Sequence, residues 1–243
     1  MRPGSGRGGN GGGWLAGLVA VVLISGGQAQ GPLTLVTNFY PVRGATLAEI
    51  AASLWQSAPG PDDEVDEPFV ARTTWQVGSS FQAVARGGGS VCEGFSTRVR
   101  ITVRLPRWEA PAGVGPAVHR AWTRYLDALQ VHEAGHVSNA LAAVAEIHRA
   151  VREIGWRRDS QALRAAVTNE VQAVVERFRA NDAAYDARTG HGLGQGAVLL
   201  SDPSRAGWPA RWGATPGAAG PSSRHPDAPA GMPVIESPTN QSP

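Results

Sequence analysis

Two histidines and a glutamate stand together in the stretch LQVHEAGHVSNA, residues 129–140. His132 and His136 are four residues apart, so on a helix both imidazoles lie on one face, one turn from each other. Imidazoles at that spacing can bind one metal ion, and Glu133 can act as general base toward a water on that metal. Zinc suits this chemistry because three protein ligands leave a position for water, whose pKa falls to about 7. We therefore predict a zinc site at His132 and His136, with Glu133 as the catalytic base.

The alternative is that the two histidines share a helix surface without binding a metal. Against it, residues 116–155 carry apolar side chains at helical spacing, which predicts a long amphipathic helix around the motif. Such a span is long for one helix, so a bend before His132 is a second possibility. Gly135 inside the motif costs up to about 1 kcal/mol of helix stability relative to alanine. A small residue there predicts close approach by another backbone.

A second helix follows and brings further polar residues toward the motif. Asp159 predicts the start of this helix, and Gly190 predicts its end. If the two helices form an antiparallel pair that turns near Arg157, residues at equal distances from the turn lie at the same height. His132 then lies level with Asp182.

A third metal ligand must come from this second helix or from the loop after it. Glu170 lies about 12 Å along the helix axis from His136 in the antiparallel arrangement, which is too far for a shared ion. Asp182, Asp186 and His191 are within reach when one helical turn of error is allowed. Geometry alone leaves these three candidates open.

Extended segments precede the two helices and predict a sheet. Residues 33–40 are rich in β-forming side chains, and residues 47–54 have helical spacing. Two further extended segments flank the glycine-rich stretch 86–90, whose composition is typical of a hairpin. In the second of them, residues 98–105, apolar side chains alternate with arginine or threonine, so one strand face is apolar and the other basic. We predict an α+β fold, in which a small antiparallel sheet with an N-terminal helix packs against the long H-E-x-x-H helix and a second antiparallel helix.

The N-terminus has the pattern of an export signal. Arg2 and Arg7 precede an apolar run at 14–24 that is about half the length a bilayer span needs. Small residues then suit cleavage after Ala29, which predicts a signal peptide at 1–29. An uncleaved anchor is the alternative. We expect a periplasmic or extracellular protein that is not stably inserted in the membrane once the signal is cleaved.

Composition limits the remaining possibilities. Residues 30–200 are predicted to form the functional domain, and the Pro-, Gly- and Ala-rich residues 201–243 a disordered tail. The net charge is +2 and the arginines form no dense stripe, which argues against nucleic acid as a partner. Cys92 is the only cysteine, so an internal disulfide is excluded.

Later in the chain lies the stretch YDARTGHG, residues 185–192. Its combination with HEAGH resembles the bacterial DUF922 family of predicted secreted zinc-dependent proteases. The resemblance covers roughly residues 35–200 and includes the hairpin and the stretch LPRW before the long helix. It implies a minimal zincin-like fold, Zn²⁺ as cofactor, and a peptide or protein as substrate.

The resemblance also implies that several residues form one functional group with the motif: Tyr185, Asp186, Thr189, His191 and Gly192. On this basis we favour His191 as the third zinc ligand, with Asp186 hydrogen-bonded to a ligand histidine. The reverse assignment, with Asp186 on the zinc, stays open. Tyr185 is assigned to catalysis as a hydrogen-bond donor to an oxyanion, although a buried helix aromatic needs no such function.

Together these features predict a secreted zinc-dependent peptidase that hydrolyses peptide bonds with a zinc-bound water and Glu133 as general base. Two alternatives accompany this prediction. One is a binding protein that the metal stabilises and that catalyses nothing. The other is a zinc hydrolase of a different bond, such as a cell-wall amide or ester.

Overall fold

The computed structural model describes residues 19–22, 31–58 and 70–200. Its elements in chain order are β1 (Val19–Val22), β2 (Leu33–Val42), α1 (Leu47–Ser57), β3 (Arg72–Arg86), β4 (Gly89–Trp108), α2 (Pro116–Glu153), α3 (Ser160–Thr189) and a short 3-10 helix (Leu193–Gln195). The predicted tail at 201–243 and most of the predicted signal peptide lie outside the described residues.

The α+β class is confirmed, and the sheet has the strand order β1-β2-β4-β3. β3 and β4 form the predicted hairpin, which turns through Gly87 and Gly88, both at positive φ. β2 pairs with β4 in parallel, so the sheet is mixed, whereas the sequence predicted an antiparallel one. β3 pairs with one edge of β4, and β2 pairs with the other. The chain passes from β2 through α1 before it enters β3, and this longer connection permits parallel pairing of β2 with β4.

The sheet turns one face of β4 toward the helices. Val99, Ile101, Val103 and Leu105 are buried, whereas Arg98 and Arg100, which precede the first two of them, are exposed. The predicted alternation is therefore confirmed. The buried face packs against the middle of α2, where Ala140 and Val144 lie, and this packing places the H-E-x-x-H turn beside the start of β3.

α2 and α3 form the predicted antiparallel pair. α2 is one uninterrupted helix of 38 residues, without the bend considered before His132. α3 begins where Asp159 caps its first turn by accepting a hydrogen bond from the backbone N–H of Ala162, and it ends at Gly190 in the left-handed conformation. The pair is held by a core of small and branched side chains, including Ile147, Ala150, Leu163, Val167 and Val171.

α1 starts with a capping box and packs against the first half of α2, in the core cluster that contains Trp122 and Tyr125. The Thr46 hydroxyl accepts from the Glu49 backbone N–H, and the Glu49 carboxylate accepts from the Thr46 backbone N–H. Ile50 and Leu54 are fully buried on its inner face. Among the described residues, no helix has both the length and the apolar character needed to cross a membrane.

Candidate metal centre

Three side-chain atoms from α2 and α3 converge on one point. His132 Nε2 and His136 Nε2 are 3.1 and 3.0 Å from Asp186 Oδ1, and 3.3 Å from each other. A tetrahedral zinc with bonds of about 2.0–2.1 Å holds its ligand atoms about 3.3 Å apart. The three donors therefore have the separation that a single ion requires, and these residues could hold a metal.

The charges of this group also suit a cation. Burial alone would raise the pKa of Asp186, but its polar contacts with His132 and His136 hold it well below its usual value. Burial alone would lower the pKa of His136, but hydrogen bonds to Asp182 and Asp186 raise it to about 10. In the metal-free chain a proton on His136 thus compensates the buried carboxylates. A metal ion would take over that role.

An acidic residue one turn before Asp186 orients His136. His136 Nδ1 donates to Asp182 Oδ1 at 2.8 Å, and Trp75 Nε1 on β3 donates to Asp182 Oδ2 at 2.8 Å. The Nδ1 hydrogen bond directs Nε2 toward Asp186, the arrangement found around metal-binding histidines. The sequence placed Asp182 within reach of the site. It contacts His136 rather than His132, one turn away from the expected level.

A glutamine that no sequence motif marks orients His132. His132 Nδ1 donates to Gln195 Oε1 at 2.9 Å, and Gln195 Nε2 donates to the Tyr185 hydroxyl at 3.0 Å. Gln195 lies in the 3-10 helix after α3, which begins beyond Gly192 at positive φ. Gly190, Gly192 and Gly196 all have positive φ, and they turn this segment back toward α2. Three glycines at such close spacing are the feature of the sequence that could have indicated this turn.

The Tyr185 ring lies against both histidines. It stacks on His132 at a centroid distance of 5.0 Å and meets His136 edge-on at 5.1 Å. A Cβ atom at Gly135 would lie 2.4 Å from the Tyr185 hydroxyl, so the glycine in the motif makes room for this ring. The expected close neighbour of Gly135 exists, but it is a side chain and not a backbone.

Tyr185 is not among the residues that line the cavity next to the metal group. Its hydroxyl instead bonds to Gln195. This placement agrees better with a buried aromatic that supports the histidines than with a hydrogen-bond donor to an oxyanion. The role toward an oxyanion stays a prediction. Thr189, also in the predicted functional group, has its hydroxyl 3.4 Å from His132 Nδ1.

His191 lies beside the group of three donors but not in it. Its Nδ1 is 3.6 Å from Asp186 Oδ1, and its side chain is 42% exposed. α3 continues as a helix past Asp186 and directs this carboxylate at α2, whereas the chain turns at Gly190 before it reaches His191. The geometry therefore favours the reverse of our preferred assignment, with Asp186 as the third ligand.

Glu133 is buried at the same site. Its carboxylate accepts a 2.6 Å hydrogen bond from the Thr73 hydroxyl on β3, and the residue is only 3% exposed. Burial raises the pKa of Glu133, and the Thr73 hydroxyl and the two histidines offset part of that shift. Thr73 is 60 residues away in sequence, and no local pattern identifies it.

A cavity of about 220 Å³ opens onto these groups. Its lining includes the three possible ligands together with Glu133, Thr73, Asp182 and His191. A base, a possible metal site and an adjoining cavity thus lie together at the meeting point of β3, α2 and α3.

Fold and site define the class: an α+β protein in which an H-E-x-x-H helix and an aspartate of the next helix form a possible metal centre. Residues 37–192 match the family model described as bacterial protein of unknown function (DUF922), and the chain belongs to this family. The matched range contains the two histidines, Glu133 and Asp186, and it ends before Gln195. No curated protein and no solved structure matches the chain.

Proposed function

We propose that this protein is a zinc-dependent peptidase that acts outside the cytoplasm. The observation that carries the proposal is the position of Glu133, a buried carboxylate in the same cavity as His132, His136 and Asp186. Two imidazoles and one carboxylate are a common ligand set for catalytic zinc, and three protein ligands leave a position for water or substrate.

Bound zinc would polarise the substrate carbonyl and lower the pKa of a water molecule. Glu133 then accepts the proton of the attacking water and delivers it to the leaving amine nitrogen. The raised pKa of Glu133 suits this task, since a general base works best when its pKa is near the operating pH. The Thr73 hydroxyl donates its hydrogen bond to Oε2 of Glu133, so Oε1 of Glu133 remains to accept the proton.

The sheet offers a binding mode for an extended substrate. The segment at the start of β3, residues 70–73, lines the cavity. β3 is last in the strand order and pairs only with β4 among the described strands. A peptide that adds to this edge would form backbone hydrogen bonds with β3 and lie beside the H-E-x-x-H helix, to which Thr73 joins β3.

The location outside the cytoplasm rests on the N-terminal sequence. Arginines, an apolar run and small residues before position 30 have the order of an export signal. A peptide or protein substrate agrees with this location and with the edge of β3.

The function is tested by Glu133→Gln against the wild type on a mixed peptide library, with the zinc content of both measured. The substitution preserves size and removes the base, so we expect bound zinc and loss of cleavage. Glu153→Gln, an exposed glutamate on the same helix, is the matched control and should cleave normally. Equal cleavage by a zinc-loaded Glu133→Gln variant would refute the mechanism.

A further inference from the structure

The cavity beside the metal centre has an apolar half that the proposed reaction does not use. The cavity lining includes the histidines, Glu133, the two aspartates and Arg72. The apolar half is the part of the lining formed by Val70, Ala71, Tyr125, Leu129, Leu193 and Ala197.

This apolar wall is one side of the hydrophobic core. Val70, Tyr125, Leu129 and Ala197 belong to the cluster that also packs against α1 and the sheet, and each is at most 9% exposed. Core packing holds these residues from behind, so the wall exists before any ligand binds. Leu129 is one helical turn before His132, and the wall therefore begins next to the metal centre.

Tyr125 contributes a polar group that stays neutral. It lies two turns before His132 on the same face of α2. Burial raises the pKa of the Tyr125 hydroxyl well above its usual value, and nearby Tyr40 raises it further. The hydroxyl is thus protonated at physiological pH. A charged group entering this half would lose its hydration. The cation in the cavity lining is Arg72, at the start of β3 beside the wall residue Ala71.

We propose that the apolar half of the cavity binds an uncharged side chain, of leucine to phenylalanine size, on the substrate residue next to the cleaved bond. This inference rests on the proposed function and adds a substrate preference to it. A side chain of that size gains from leaving water and contacts a concave, preformed wall. A glycine at this substrate position has no side chain to contact the wall, so the wall stays in contact with water.

Peptide hydroxamates with glycine, leucine, phenylalanine or aspartate next to the chelating group are the probes. The hydroxamate binds zinc whichever side chain it carries, so differences in affinity report on the cavity. Calorimetric titration of the zinc-loaded full chain measures binding without any need for turnover. We expect the leucine and phenylalanine probes to bind about 10- to 100-fold more tightly than the glycine probe. The aspartate probe, which can pair with Arg72, should bind less tightly than the leucine probe.

Two substitutions in the wall test where the side chain binds. Leu193→Ala enlarges the cavity and should favour phenylalanine over leucine, whereas Ala71→Leu narrows it and should weaken both relative to glycine. Both positions are only partly buried, so the fold tolerates the changes. Val198→Ala is the matched control, since this residue is exposed, follows Ala197 and does not line the cavity.

Affinity ratios that change in both wall variants, and not in Val198→Ala, would establish the pocket. Equal binding of the glycine and leucine probes to the wild type, or tighter binding of aspartate than of leucine, would overturn the preference and leave the proposed hydrolysis intact. If no probe binds the zinc-loaded chain, the metal has no open position. Both the preference and the proposed function then fail.

Discussion

Thr73 and Glu133 lie 60 residues apart in sequence and are joined by a 2.6 Å hydrogen bond from the threonine hydroxyl to the carboxylate. This bond links the edge strand β3 to the H-E-x-x-H helix. It fixes one carboxylate oxygen of the proposed base, so the position of the base depends on the strand that would hold the substrate.

Removal of the Thr73 hydroxyl should reduce turnover and shift its pH dependence. Thr73→Val keeps the side-chain shape and removes a bond to a charged group worth about 1.5–3 kcal/mol, so kcat should fall about 10- to 100-fold. The Thr73 hydroxyl lowers the pKa of Glu133. Its loss therefore raises that pKa, and the acidic limb of the pH–rate profile moves to higher pH.

The control for this prediction is Thr74→Val, because successive strand residues point to opposite faces. Its kcat and pH profile should equal those of the wild type, and Thr73→Ser should restore most of the activity. An unchanged acidic limb in Thr73→Val would contradict the role assigned to the hydroxyl.

The third ligand can be identified by metal affinity. Asp186→Ala should lower zinc affinity by more than about 100-fold, since it removes a donor, whereas His191→Ala should lower it by less than about tenfold. Competition with a chelator of known affinity measures both. The opposite order would return the assignment to His191, the ligand favoured by the sequence.

The residues that orient the histidines should affect the metal less than the ligands do. Asp182→Asn and Gln195→Ala should each lower zinc affinity about 10- to 100-fold, the effect usual for partners of ligand histidines. Asn181→Ala, an exposed neighbour of Asp182, serves as control. Wild-type affinity in both variants would show that these hydrogen bonds do not support the site.

Metal binding should release a proton from His136. Its pKa of about 10 in the metal-free chain means that Nε2 is protonated at neutral pH and must lose this proton to bind a metal. Zinc affinity should therefore rise with pH between 6 and 9. Calorimetry in buffers of different ionisation enthalpy counts the protons released, and a count of zero at pH 7 would contradict the assignment.

The same pKa has a consequence for the stability of the metal-free fold. Because the pKa of His136 is higher in the folded chain than its unfolded value of about 6.5, the protonated imidazole stabilises the fold. This stabilisation is fully present below pH 6.5. That contribution disappears as pH approaches 10. Chelator-treated protein should thus show a Tm that declines over this range, more steeply than a His136→Gln variant does.

Gly135→Ala should destabilise the fold although alanine is the better helix former. The added Cβ would lie 2.4 Å from the Tyr185 hydroxyl and 2.5 Å from the ring atom that carries it, and overpacking of this kind costs about 1–3 kcal/mol. Thermal unfolding without metal measures the effect. Combination with Tyr185→Leu should recover most of the loss, and a Gly135→Ala variant as stable as the wild type would disprove the contact.

Features set by neighbours in the chain could be predicted from the sequence. The four-residue spacing of His132 and His136 fixes their common face, and the caps Asp159 and Gly190 mark the two ends of α3. The hairpin at residues 86–90 is local in the same sense. These predictions succeeded because each depends on one turn or one helix face.

Features set by long-range packing could not be predicted. Thr73 and Gln195 become partners of the site only when β3 and the 3-10 helix pack against α2, and neither stands out by charge or motif. The choice between Asp186 and His191 depends on how the chain turns at Gly190, a matter of a few ångströms. The parallel pairing of β2 with β4 likewise joins residues far apart in sequence, such as Leu33 and Val99.

The most direct test of the central claim is cleavage of the peptide library by chelator-treated protein to which zinc is returned in measured amounts. We predict no cleavage without metal and full recovery at one zinc per chain, with no recovery in Glu133→Gln. Wild-type protein that binds one zinc and cleaves no peptide, or that cleaves equally well after the metal is removed, would contradict the claim.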